Sequence, residues 1–226
     1  MKKIIVILSI LSASAGAYAF FGDLAKSVKS ATSEIAGTSS TAAALQTKQE
    51  ATLAKYKESK EDFLKAYAAI SQACGADKVA SDAKTALKQV ESQAAKNLDV
   101  EEVAKLTDNV IAAAQSNGAM TLASNASESA KSACNDGLSY FEKALTKQLE
   151  VGKEVAGLAK DVKNIMDNGS TSDKIQAGTS LSPTVELARL IPSDISKSKD
   201  AIMSMVKTLK ADGVNIPSSL MSVLGL

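Results

Sequence analysis

One stretch in the middle of the chain limits the fold more than any other, because it repeats a helical pattern without interruption. From Cys134 to Met166, apolar or small residues recur every three or four positions, with lysines and glutamates between them. The recurring positions are Cys134, Leu138, Phe141, Leu145, Leu149, Gly152, Val155, Ala159, Val162 and Met166. This spacing puts them on one face of an α-helix. A helix over the whole of 119–168, about 50 residues, would be roughly 75 Å long, more than a compact domain of this size can bury.

The chain as a whole is also typical of helical proteins. It has three prolines and no tryptophan, aromatic residues make up 4% of it, and alanine, lysine, serine, leucine and glutamate dominate. Alanine-rich amphipathic segments of this kind favour α-helix over strand. The sequence therefore predicts an all-α fold, an elongated antiparallel helical bundle of about five to seven helices with one or two long helices.

Capping signals divide the chain into individual helices. Gly75 ends a long helix in which Lys60 interrupts an otherwise apolar face. Asp99, followed three residues later by Glu102, forms an acidic version of the capping box. The predicted helices span 41–73, 77–97, 99–116, 119–168, 183–190 and 192–210. Poor helix formers around Gly137 leave a kink or break in the longest of them open as an alternative.

The first nineteen residues have the three parts of a secretory signal peptide. Met1-Lys2-Lys3 is basic, the residues that follow are apolar, and Ala17-Tyr18-Ala19 is a small-x-small cleavage site. This order predicts cleavage after Ala19 and a mature protein that begins at Phe20 in the periplasm or outside the cell. An uncleaved membrane anchor is the alternative, although the apolar run is short for a membrane span.

After the signal peptide at 1–19, we expect an N-terminal amphipathic helix and linker at 20–40. A helical bundle with an apolar C-terminal tail follows at 41–226. The apolar stripe of the first helix contains Phe20, Phe21, Leu24, Val28 and Ile35. In one interpretation these five residues dock on a membrane surface or on a partner protein. In the other, which the mixed charge of the polar face favours, the helix folds back on the bundle.

The two cysteines predict a single disulfide in an exported protein. Cys74 and Cys134 each continue the apolar face of a long helix, so they meet if these two helices are neighbours. A bridge that closes a loop of about 60 residues stabilises by about 4 kcal/mol in the chain-entropy model. Two buried thiols, or a bridge to another chain, are the alternatives. The chain has no Cys-x-x-Cys, so we do not expect a thiol redox catalyst.

The composition excludes several kinds of active site. The chain has no histidine, so it has no imidazole base, no histidine metal ligand and no histidine-based triad. Loss of Lys2 and Lys3 with the signal peptide lowers the 26 basic residues to 24, against 25 acidic residues. The two signs are interspersed, without the basic patch of a nucleic-acid-binding protein. We therefore expect no catalytic residue, no metal, no cofactor and no nucleic-acid partner.

Weak motifs do not change this interpretation. Ser81–Lys84 and Ser196–Lys199 match the Ser-x-x-Lys pattern of some acyl transferases, but a chain rich in both residue types produces such matches by chance. Glu101, Glu102 and Asp161 are typical of the solvated faces of amphipathic helices.

These observations favour an exported, non-catalytic helical-bundle protein that acts in protein–protein interaction or scaffolding in the bacterial cell envelope. The alternative is a membrane-docking or membrane-active protein that uses its N-terminal amphipathic helix. A third interpretation, an enzyme or carrier with an apolar pocket between helices, has no support from particular residues. We expect a protein partner, whereas the sequence identifies neither that partner nor the oligomeric state.

Overall fold

The regular secondary structure of the chain is helical throughout the residues that the computed structural model describes, which are 40–118, 120–174 and 182–226. The main elements are α1 (Ser40–Ala73), α2 (Asp77–Ser92), a 3₁₀ helix (Ala95–Asn97), α3 (Val100–Ser116), α4 (Glu128–Asn168), α5 (Ser182–Ala211) and α6 (Ser218–Leu224). These elements confirm the predicted all-α helical fold. Three helices are long, with 34, 41 and 30 residues in α1, α4 and α5, where one or two were expected.

Several predictions concern residues outside these ranges. The signal peptide at 1–19 lies outside the described residues, and so does the amphipathic helix with Phe20, Phe21, Leu24, Val28 and Ile35. These assignments remain predictions.

The chain divides into two compact units, and α1, α4 and α5 each contribute residues to both. Among the described residues, the first unit comprises 40–55, 149–174 and 182–192, and the second comprises 56–118, 120–148 and 193–226. In each unit, later residues of α1 contact earlier residues of α4, so the two helices are antiparallel, as expected.

Ion pairs show this arrangement in the first unit. Lys48 Nζ lies 2.6 Å from Asp161 Oδ2, and Lys55 Nζ lies 3.1 Å from Glu150 Oε2. Lys55 also donates to Glu154, and the hydrogen bonds to Glu154 and Glu150 raise the pKa of the Lys55 ammonium.

In the second unit the same two helices share an aromatic core. Phe63 and Tyr67 of α1 and Phe141 of α4 are buried, with ring centroids 5.2–5.3 Å apart. Next to this cluster, Gly137 lies against Ile70, and a β-carbon built on Gly137 would lie 2.5 Å from Ile70 Cγ1. Glycine is therefore required at this point for the two helices to approach so closely.

The longest helix differs from its prediction at its start. It begins at Glu128 and not near Ala119, which is itself outside the described residues. Residues 120–127 are not helical, which agrees with the poor helix propensity of Ser124 and Asn125. The alternative of a break near Gly137 is wrong, because α4 continues through this residue.

Two predicted helices near the C-terminus are in fact one. Residues 183–190 and 192–210 both belong to α5, with Pro192 in its interior. Proline lacks an N–H and removes one hydrogen bond of the helix, which usually ends or kinks it. Here Leu187, Ile191 and Ile195 are buried on both sides of Pro192, so packing of the apolar face maintains the helix across the proline.

The shorter helices follow their capping signals more closely. Asp99 caps α3, and its Oδ1 accepts from the backbone N–H of Glu102 at 2.8 Å. Gly75 has a φ of +70°, which suits the end of α1. The helix expected over 77–97 ends earlier, at Ser92, and the 3₁₀ helix follows.

The apolar tail folds onto the second unit as α6. Leu220 and Leu224 are buried, and Ser219 Oγ donates to Glu142 Oε2 of α4 at 2.7 Å. Across the described ranges, no helix has both the length and the apolar character that a membrane span requires.

Candidate functional site

The two cysteines lie side by side in the second unit. Cys74 follows the last residue of α1, and its N–H donates to Ile70 at 2.9 Å, while Cys134 lies in the second turn of α4. Antiparallel packing that brings Ile70 to Gly137 also brings Cys74 to Cys134, and their thiols are hydrogen-bonded to each other. Both are free thiols in the structure, so the disulfide remains a prediction.

The hydrogen bond between the thiols makes them chemically unequal. It lowers the pKa of Cys134, whose thiolate accepts the bond, and the same bond together with burial raises the pKa of Cys74. The nearby Asp212 carboxylate acts against ionisation of both sulfurs. Cys134 is fully buried and Cys74 is half-buried, so an external reagent reaches the pair from the side of Cys74. The arrangement can support oxidation of two thiols to one disulfide.

The groups around the thiols tie three chain segments together. Asp212, just after α5, accepts from the N–H of Leu122 at 2.7 Å. Ser71 Oγ of α1 lies 3.3 Å from the sulfur of Met120. Residues 120–122 therefore cross the end of the second unit between α1 and the end of α5.

A second cluster of ionisable groups is almost completely buried. Lys60 of α1 and Asp194 of α5 are 1% and 3% exposed, and Lys60 Nζ donates to Asp194 Oδ2 at 2.9 Å. Tyr56, also fully buried, donates its hydroxyl to the same oxygen at 2.7 Å. The Lys60 ammonium lies 5.3 Å from the centre of the Tyr56 ring, within cation–π range.

This cluster neutralises its own charges. Burial, followed by the negative charge of Asp194, raises the pKa of Tyr56 well above its ordinary value, so Tyr56 remains a neutral donor. Lys60 and Asp194 carry opposite charges in direct contact. Because the groups are sealed from solvent and satisfied by one another, the cluster is suited to a structural role and not to work on a substrate.

Polar residues continue from this cluster along α5. Ser198, one turn after Asp194, accepts from Gln148 Nε2 at 3.3 Å, and both side chains are buried. On the surface nearby, Lys197 donates to Asp108 of α3 at 2.6 Å, and this bond raises the pKa of the Lys197 ammonium. The apolar stripe of α4 predicts a buried Leu149 at this level, whereas the structure buries Gln148 and leaves Leu149 half-buried.

Three side chains of the weak motifs have ordinary structural partners. Asp161 pairs with Lys48, Glu102 accepts from Gln93 Nε2 at 2.9 Å, and Lys84 donates to Gln72 at 2.8 Å. In the ranges that the structure covers, no group of three or more cysteine, aspartate or glutamate side chains is placed to hold a metal ion.

The cysteine pair can be predicted from the sequence, whereas the buried cluster cannot. Lys60 was visible as an interruption of the apolar face of α1, and that interruption was the available signal. Its partner Asp194 was interpreted only as part of a helix start, because nothing in the local sequence connects two residues so far apart. Comparison of the chain with protein-family models, with curated proteins and with solved structures gave no match.

Proposed function

We propose that this chain is an exported, non-catalytic helical-bundle protein that acts in protein–protein interaction or scaffolding in the bacterial cell envelope. The observation that carries the proposal is the adjacency of Cys74 and Cys134, the only cysteines of the chain. Such a pair forms a stable disulfide in an oxidising compartment outside the cytoplasm. The signal-peptide pattern at 1–19 predicts the same compartment independently.

The non-catalytic part of the proposal is supported by the burial of the Tyr56–Lys60–Asp194 cluster. These three ionisable side chains of the second unit contact one another, and none is more than 3% exposed. A substrate cannot reach them without opening the core. The long helices instead offer exposed outer faces to other proteins, such as the face of α4 that carries Lys143, Lys153 and Lys160.

Export and oxidation are tested together by intact-mass measurement of protein purified from the envelope fraction without reductant. We expect the mass of residues 20–226 less two hydrogens, and a linked peptide pair that contains Cys74 and Cys134. In this oxidation two S–H bonds break and one S–S bond forms, and the two electrons reduce a disulfide of the compartment's thiol oxidase. A protein that retains residues 1–19 and two free thiols would contradict the proposal.

Partner binding is tested by a photo-crosslinking amino acid placed at single exposed positions in living cells. Lys143, Lys153 and Lys160 report on the outer face of α4, and Ser81 and Lys88 report on that of α2. We expect a discrete product of constant mass from neighbouring positions on one helix face. Products of no fixed mass from every position, or no product from any of them, would count against a protein partner.

The alternative, membrane docking through the N-terminal amphipathic helix, predicts a different result. Vesicle flotation of the mature chain is compared with that of a Leu24→Asp/Val28→Asp variant. Association that this variant loses favours membrane docking, and a Lys26→Gln variant serves as the control on the polar face. Failure of the mature chain to float would remove the alternative.

A further inference from the structure

A cavity of about 280 Å³ lies in the second unit, where α1, α3 and α5 meet the connection that leads to α4. Its walls include Tyr67 of α1, Gln115 of α3, Met120 of the connection, and Ser204 and Met205 of α5. None of the described side chains that line it is charged. The cavity therefore combines apolar walls with a few neutral hydrogen-bonding groups, which is typical of small-molecule sites.

Tyr67 supplies the second observation. It is only 2% exposed, and its ring is held by Phe63 and Phe141 at centroid distances of 5.2 and 5.3 Å. Its hydroxyl has no hydrogen-bond partner among the described residues, and burial raises its pKa, so it remains a donor. Because Tyr67 lines the cavity, this hydroxyl is available to an acceptor group on a molecule bound there.

We propose that this cavity binds a small uncharged molecule with an apolar one- or two-ring body and one hydrogen-bond acceptor, which receives the Tyr67 hydroxyl. The volume is roughly twice the ~150 Å³ of an engineered cavity that holds benzene. A charged ligand is disfavoured because the walls offer no countercharge. Met120 and Met205 are flexible and polarisable, so they can adjust to the outline of the ring.

Three molecules with the same two-ring body test the proposal: 1-indanone, indane and indane-1-carboxylate. The chain is labelled with ¹³C at its methionine methyl groups, and each molecule is titrated while the methyl resonances are followed by NMR. We expect saturable shifts at Met120 and Met205 with 1-indanone, while Met221 of α6, which does not line the cavity, stays unchanged. Indane-1-carboxylate should bind at least tenfold more weakly.

Variants distinguish the contribution of the Tyr67 hydrogen bond to affinity from that of apolar packing in the cavity. Tyr67→Phe should weaken the binding of 1-indanone about 3- to 10-fold and leave the binding of indane unchanged, since it removes only the hydrogen-bond donor. Tyr140→Phe, at a tyrosine that pairs with Lys143 away from the cavity, should change neither. Ser204→Leu changes an exposed residue at the cavity wall and should abolish binding of both molecules without loss of helicity.

Three results would overturn the proposal. The first is the absence of saturable methionine shifts with all three molecules at millimolar concentration. The second is equal binding of the ketone and the carboxylate. The third is an equal change in the affinity for 1-indanone in the Tyr67→Phe and Tyr140→Phe variants. The partner-binding function proposed above would stand in each case, because it does not use this cavity.

Discussion

Removal of only one charge from the buried Lys60–Asp194 pair should strongly lower the free energy of unfolding of the second unit. Asp194→Asn keeps an oxygen for the Tyr56 hydroxyl but leaves the Lys60 ammonium without a countercharge. Lys60→Met leaves the Asp194 carboxylate with only the Tyr56 hydrogen bond. Because both side chains are at most 3% exposed, each single change should cost about 3–5 kcal/mol of unfolding free energy.

The double variant Lys60→Met/Asp194→Asn removes both charges together. It should cost only about 1–2 kcal/mol, because no unpaired charge remains and Tyr56 keeps an acceptor. The two single costs together then exceed the cost of the double variant by about 4 kcal/mol or more. This coupling energy is the quantity that the structure predicts.

Urea unfolding followed by far-UV circular dichroism measures each free energy, since the chain has no tryptophan. The matched control is the exposed pair Lys78–Asp82, which has the same 2.9 Å distance but side chains that are 83% and 41% exposed. Lys78→Met and Asp82→Asn should each cost about 0.5 kcal/mol or less. Single-variant costs below about 1 kcal/mol at Lys60 and Asp194, or strictly additive costs, would refute the reasoning.

Further tests address packing, capping and pH. Gly137→Ala should lower the free energy of unfolding by about 1–3 kcal/mol, because the new methyl group would clash with α1. Gly157→Ala has open space around the new methyl group and should raise the free energy of unfolding by about 0.5–1 kcal/mol. Equal effects of the two variants in urea unfolding would contradict the packing of Gly137 against α1. Asp99→Ala should cost about 1 kcal/mol through loss of the cap, and an unchanged midpoint would argue against that cap. Burial raises the pKa values of Tyr56 and Tyr67 in the folded state, so the unfolded state releases their protons first, and stability present below about pH 10 should fall as the pH rises further. Absorbance at 295 nm should then show tyrosine ionisation in the same pH step as the loss of helical signal, and ionisation of all tyrosines before that step would contradict their burial.

Local signals predicted much of the helical structure. The apolar stripe of α4, the glycine after α1 and the capping pair at the start of α3 depend on neighbours within one or two turns. The sequence contains these relations directly. The stripe also placed Cys74 and Cys134 on inward faces, and this led to the correct pair of neighbouring helices.

The errors arise where distant residues decide the local structure. Pro192 was interpreted as a helix start because proline disfavours a helix interior, but the buried isoleucines on both sides of it maintain α5. Lys60 broke an apolar pattern because its partner Asp194 lies on another helix. The cavity at Tyr67 cannot be predicted from periodicity, since it depends on how side chains from three helices fail to fill a common space.

The distance in sequence between α1 and α4 has a consequence for synthesis of the chain. Asp62 of α1 accepts a hydrogen bond from Lys147 of α4, which lies 85 residues later in the chain. At about 5–20 residues per second, the ribosome needs roughly 4–17 seconds to produce the second residue after the first. The α2–α3 pair can assemble from local contacts during this time, while the apolar face of α1 is not yet covered by α4. A chaperone that covers this face on the nascent chain would therefore be most needed before α4 emerges.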